Sequence, residues 1–470
     1  MSGEDYKQAL YRGDLRIDCR KITLTQNTAN NPFFFSGNGY IHQLADGAIR
    51  FHMFAQSEDE ARAVALLHVS LRANLLGKEN YFSFEAVAYG GDTWTCDSVR
   101  AEPEIYGRDL LVRGGLYEIR RREEGPEGES PFFLQVQIFQ KLDLQHTAFV
   151  ETVHDFGNSH QRRLSRYSSN IGPCETRSLE DRVLWHVSSQ TELPNNLHNL
   201  VIAAFEFLTA KTVVPRVIES YERSTHTLRL LSPRPISTRT RLRRPISVHH
   251  LVDYEMPWRL FSLYLEYLCS YSGSGWHPCV LHVHNAIEAS ANSLDAARLG
   301  LCVAVEGLAK LVSVPVDEEQ KKAIKKLTKA MKCILLRSGL NATVLGQRAE
   351  GLLSQLHIPR LKDQLEPLVR AGEIRPELIK AWSELRHGAA HAAAFDIDNA
   401  RPDETAKLLA GIDRVTTLMY EIIFHLIGYE EEYTDYSEWE QPPRRLKTGT
   451  TFSNGDPRAK RYPSRPSVAP

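Results

Sequence analysis

The chain has few cysteines, no long apolar run and no surplus of either charge. It holds seven cysteines in 470 residues, and none forms a C-x-x-C pair. That count fits a reducing compartment and excludes a disulfide scaffold and a zinc ribbon. Lysine plus arginine total 57 and aspartate plus glutamate 58, which argues against a general polyanion coat and leaves room only for local patches. No apolar run approaches the roughly 20 residues that a membrane helix requires. The start, Met1-Ser2-Gly3-Glu4-Asp5, lacks the basic and apolar regions of a signal peptide, so a cytoplasmic protein without membrane contact is expected. A G-x-S-x-G elbow and a G-x4-G-K-[ST] loop are both missing, which disfavours a serine hydrolase and a P-loop nucleotidase. No internal repeat is visible.

What is present divides by periodicity, and the expected class is α+β. From about residue 14 to 155, short segments alternate in polarity between turn signals, as in Leu15-Arg16-Ile17-Asp18-Cys19 and Ala48-Ile49-Arg50-Phe51-His52-Met53-Phe54. A polar helix is predicted to interrupt them over 58–76. Strands and loops are predicted to continue to about 250, with Leu184-Trp185-His186-Val187 and Leu200-Val201-Ile202-Ala203-Ala204-Phe205 as core candidates. The five arginines of Arg234 to Pro245 mark a boundary, read as a solvated linker or as an RNA-facing basic loop.

Beyond 255 the period becomes helical. Trp258, Phe261, Leu265 and Leu268 share a face, as do Leu294, Leu301, Val305, Leu308 and Val312. Lys321 to Lys332 reads as an amphipathic helix with a basic outer face around Ile324, Leu327 and Met331. Helices over 361–369, 377–394 and 403–427 complete an antiparallel helical bundle. The expected domains are therefore a β-rich one over 1–250, a helical one over 251–428, and an acidic then basic tail over 429–470 whose last 30 residues are disordered.

One turn in the penultimate helix is anomalous. Arg386-His387-Gly388-Ala389-Ala390-His391 sets a cation and two imidazoles among small residues, and its glycine costs about 1 kcal/mol against alanine in a helix interior. Arginine presents a planar fork for phosphate oxygens, and histidine moves protons near neutral pH. Arg386 and His391 are about 140° apart around an ideal helix, so the long arginine reaches round or a second copy completes the site across a dimer. His387 and His391 share a face as metal ligands do, but no glutamate lies between them in the zincin pattern. His277-x-Cys279-x2-His282-x-His284 also carries ligand types, although its alternation equally suits an amphipathic strand or a helix start.

The Arg386-His387-x3-His391 turn resembles the R-[polar]-x3-His signature of the HEPN superfamily, over roughly residues 280 to 428. The resemblance implies a metal-independent endoribonuclease without cofactor, active as a homodimer on an RNA substrate. It implies Arg386 and His391 as the catalytic pair, His387 as the polar residue that positions them, and Glu306, in an otherwise apolar helix, as the supporting acid. A salt-bridged structural role is the other reading of Glu306. The first half is similar, more loosely, to the β-rich domain of bacterial abortive-infection HEPN proteins, through Gly37-x-Gly39-Tyr40-Ile41, Asp46-Gly47-x-Ile49-x-Phe51 and Tyr81-Phe82-x-Phe84 to Thr93-Trp94-Thr95. That likeness implies a sensor of a phage-derived trigger. Other HEPN modules are non-catalytic units that bind nucleotide or RNA or dimerise.

Overall fold

A computed structural model describes residues 2–446 apart from 29–31, 57–76, 107–108, 125–131, 148–149, 156–157, 235–241, 248–252, 274, 313–317, 356–359, 392–400 and 439. The helix expected over 58–76 thus lies outside the described residues. The chain is α+β and divides into two compact units, one of residues 1–205 and 213–236, the other of 206–212 and 237–470.

The first unit is built on one antiparallel sheet, fifteen-stranded among the described residues. Its strands are β1 (Arg16–Gln26), β2 (Phe34–Gln43), β3 (Ile49–Gln56), β4 (Phe82–Ala88), β5 (Thr93–Val99), β6 (Glu102–Tyr106), β7 (Asp109–Leu116), β8 (Glu118–Glu124), β9 (Phe132–Ile138), β10 (Val150–Asp155), β11 (Asn158–Ser169), β12 (Gly172–Ser178), β13 (Val183–Ser189), β14 (Pro215–Glu222) and β15 (Thr225–Leu231). They lie in the order β10-β11-β12-β13-β9-β14-β15-β8-β5-β4-β1-β2-β3-β7-β6. Alternation with one β-bulge between Cys19 and Ile22 turns Ile17, Cys19, Ile22 and Leu24 of β1 inward with Ile41, Phe51, Phe84 and Trp94, while Arg16 and Asp18 pair on the outer face.

Helix α1 (Gly3–Arg12) opens the chain with a capping box between Ser2 and Asp5 and stops at Gly13, whose φ of 83° is the left-handed cap that glycine adopts freely. Tyr6 of α1 packs edge-on against Trp94, with ring centroids 5.0 Å apart, and donates to Asp92 at 2.6 Å. On this face of the sheet Lys7 bridges Glu219 of β14 at 2.8 Å, and His226 of β15 meets the same carboxylate at 2.8 Å.

The apolar run at 200–205 belongs to helix α2 (Leu197–Thr209), not to a strand. Val201, Ala203, Ala204 and Phe205 of that run are buried, whereas Leu200 and Ile202 are half-buried. A short run that is apolar on every side carries no period, so helix and strand cannot be separated by it.

The second unit holds α3 (Met256–Cys269), α4 (Pro278–Asn292), α5 (Leu294–Ala309), α6 (Glu318–Arg337), α7 (Val344–Gln355), α8 (Leu361–Arg370), α9 (Pro376–His391) and α10 (Pro402–Ile427). Helix α5 is its hub and packs on α4, α8, α9 and α10. The faces expected on α3 and α5 are inward: Trp258, Phe261, Leu265, Leu301, Val305 and Leu308 are all buried. Helix α6 forms as expected, but Leu327 and Met331 on its apolar side are exposed. Among the described residues no helix is long and apolar enough to cross a membrane.

One expectation about the connecting segments needs correction. Residues 429–446, expected to start a tail, are folded: Tyr429, Tyr433, Asp435 and Tyr436 are buried, and β16 (Glu432–Thr434) pairs with β17 (Pro443–Arg445). The reason is an ionic network. Arg375 reaches Asp435 at 2.8 Å and Glu421 at 3.1 Å, and Tyr433 donates to Glu421 at 2.6 Å. Burial pulls Asp435 upward, yet the hydrogen bonds and charge of Arg375 hold its carboxyl below the usual range. Most of the arginine-rich segment, 235–241, lies outside the described residues, and its last part is anchored. Leu242 and Ile246 are buried, and the Arg243 and Arg244 carbonyls accept hydrogen bonds from Tyr420 and Tyr436.

Candidate active site

Helix α9 carries the anomalous turn and leans on α5. Trp382, one turn before the motif, is buried and donates its indole N–H to the Cys302 carbonyl at 3.2 Å. On α5, Arg298, Cys302 and Glu306 recur every four residues, a stripe spanning about 12 Å of helix. All three points of that stripe engage α9.

At the far end of the stripe, Glu306 forms a close ion pair with Nε of Arg386. The Arg386 side chain is 54% exposed and its guanidinium lies 5.8 Å from the centre of the Trp382 ring. Among the described contacts the carboxylate engages Nε, and the side chain remains half exposed. A guanidinium held along one edge by a carboxylate and by an aromatic ring is restricted in rotation, so less entropy is lost when it meets an anion.

The start of the stripe supplies what the sequence reading missed. Arg298 is buried and donates through Nε to the Leu385 carbonyl at 3.3 Å. A Cβ added at Gly388 would stand 2.8 Å from its Nη2. The glycine that looked like a loss of helix stability therefore clears room for a second guanidinium against the motif. Among the described residues it meets the carboxylate of Asp295 at 3.8 Å, on the same helix. One signal was available in the sequence: Arg298 stands two turns before Glu306, so both fall on one stripe.

Between them, the Cys302 thiol is pushed up to about 12 by burial and by the neighbouring Glu306 charge. It stays protonated and is not a nucleophile. His387 lies on the exposed side of α9. His391 is the last residue of α9, and its side chain is outside the described residues. The structure thus pairs Glu306 with Arg386, and sets the unexpected Arg298 against Gly388 of the same motif.

The second histidine cluster is a helix start whose members go to separate partners. His277 caps α4 and accepts from the Cys279 amide at 3.0 Å. Burial takes His277 down to about 4. His284 meets Glu206 at 3.1 Å, and His282 fills the space above Gly307, where an added Cβ would lie 2.0 Å from its ring. Glycine at 307 is what lets α4 carry that imidazole against α5.

Compared with known proteins, the chain matches no family model, no curated protein and no solved structure.

Proposed function

We propose that this chain is a metal-independent endoribonuclease of the HEPN type, acting as a homodimer in abortive-infection defence against phage. The reading rests on the sequence resemblance together with one observation, the half-exposed Arg386 guanidinium that Glu306 and Trp382 hold on α9. A guanidinium held in this way suits a phosphodiester, whose charge rises as it passes through a phosphorane. In the proposed reaction the substrate 2′-hydroxyl attacks phosphorus. The new 2′-O–P bond forms as the P–O5′ bond breaks, a base removes the hydroxyl proton, and an acid returns one to the departing 5′-oxygen. Arg386 would hold the phosphate and His391 would move the proton, one protomer completing the other's site, with His387 helping to position the pair.

The test is cleavage of RNA by the purified chain in excess EDTA, read by its product ends. A cyclic phosphate and a 5′-hydroxyl are expected, and Arg386→Ala and His391→Ala are expected to abolish them. Activity lost with EDTA would overturn the metal-free mechanism. The pairing of Arg386 with Glu306 also favours a second reading, a non-catalytic module that binds nucleotide or RNA. RNA binding without cleavage, and equal protection by wild type and Arg386→Ala during phage challenge, would decide for it.

A further inference from the structure

The first unit contains a hollow that plays no part in the proposed cleavage. It has a volume of about 410 Å³ and lies between the loop entering α2 and the sheet face opposite α1. That volume is within the range of cavities that take small organic ligands.

Strand register fixes the chemistry of its floor. Ile218, Arg229 and Arg120 stand in one row across β14, β15 and β8. Leu134, Ser220, Thr227 and Arg122 form the next row, from β9 to β8. Apolar residues therefore collect at the β9 and β14 side, and guanidinium groups at the β15 and β8 side. The roof repeats the division, with Leu193 and Pro194 followed by Asn195, Asn196, His198 and Asn199.

The charged side is only partly compensated. Three arginines line the hollow against two glutamates, Glu118 and Glu222, and Arg120 also pairs with Asp97, so the guanidinium without an ion pair among the described contacts is that of Arg122. Glu118 is shared, accepting from Arg120 at 2.8 Å and from Arg229 at 3.0 Å. Arg229 also donates to His198 at 2.9 Å. An imidazole that accepts from a guanidinium is uncharged, and burial and Arg229 together take His198 down to about 4. Arg122 is exposed and makes no ion pair among the described contacts. Helix α2 begins at the roof with no acidic residue in its first turn, so the positive end of its dipole is not offset there.

We infer that this hollow binds a small phosphorylated organic molecule, with its phosphate between Arg122 and the first turn of α2 and its uncharged part over Leu134 and Ile218. Both halves of the floor are needed. The arginine side alone would take any anion, and the apolar side alone would take any ring. A phosphate ester carrying a flat or sugar-like body matches the two together.

Calorimetric titration of the full chain with AMP, ribose 5-phosphate, adenosine and inorganic phosphate tests this. Saturable binding of at least one phosphate ester is expected, about tenfold or more tighter than adenosine and than inorganic phosphate. Arg122→Glu, a change at an exposed position, should weaken the ester by about tenfold or more. Ser220→Leu, which places a larger side chain mid-floor, should do the same without touching a charge. Arg386→Ala should bind as wild type does, which separates this site from the proposed nuclease. Three results would overturn the inference: no saturable binding by either ester at millimolar concentration, inorganic phosphate binding as tightly as the esters, or ester binding unchanged in both floor variants.

Discussion

The guanidinium of Arg298 occupies the space that a side chain at residue 388 would need, 2.8 Å from where its Cβ would stand. Helix propensity and the motif's geometry are thereby opposed at one position. Gly388→Ala should recover up to about 1 kcal/mol of helix propensity while displacing Arg298 from the Leu385 carbonyl. The expected outcome is a thermal midpoint within a few degrees of wild type and a clear fall in RNA cleavage. Unchanged cleavage would mean that Arg298 has no part in the site.

The Arg386 to Glu306 pair is a surface ion pair, with side chains 54% and 31% exposed. Such pairs contribute about 0–1 kcal/mol to stability. Arg386→Ala and Glu306→Gln should accordingly fold with little loss by chemical denaturation. Activity should respond otherwise, with Arg386→Ala inactive and Glu306→Gln retaining a reduced rate because the fork remains but is less restrained. A denaturation midpoint that collapses in either variant would assign the pair to structure.

Residues 429–446 should be inseparable from the helical unit. A chain ending at Gly428 loses Tyr429, Tyr433 and Tyr436 and strands Arg375 and Glu421 without Asp435 and the Tyr433 hydroxyl. Unpairing a buried charge alone costs about 3–5 kcal/mol. Ending the chain at Gly428 should lower the denaturation midpoint sharply relative to the full chain. Equal midpoints would show that this segment carries no stability.

His226 should make the first unit sensitive to mild alkali. Its hydrogen bond to Glu219 raises it above the ordinary imidazole range, with burial opposing and the charges of Glu219 and Glu123 adding. A raised folded-state value contributes stability that is complete below the unfolded value of about 6.5 and is lost as pH climbs through the folded one. The stability gap between wild type and His226→Gln should therefore narrow as pH rises from about 6.5 through the raised folded-state value. A gap that stays constant over that range would remove the linkage.

Period and punctuation made much of the fold readable. Alternation marked β1 and β3, and helical spacing marked α3, α5 and α10, with Gly428 closing α10 in the left-handed conformation that its position suggests. What failed did so where no local pattern exists. The 200–205 run has no polar face to report its period. Segment 429–446 looks acidic and solvated until Arg375, more than 50 residues upstream, neutralises Asp435. In the site, Arg386 and Glu306 were singled out through resemblance and lie side by side. Arg298 was not, because the reason for a glycine at 388 is on another helix.

The order of the large sheet has a consequence for how the chain acquires its shape. Strands β8 and β9 pair with β15 and β14, partners made roughly 80 to 110 residues later. Until synthesis passes Leu231, the middle of the sheet has unpaired edges, including the apolar Phe132–Ile138 strand. Non-local closure of this kind is slow, and exposed edges of that composition associate with one another. A nascent or truncated chain ending near residue 205 should therefore aggregate where the complete sheet does not, and the last hairpin, β14–β15, acts as the latch that ends this exposure.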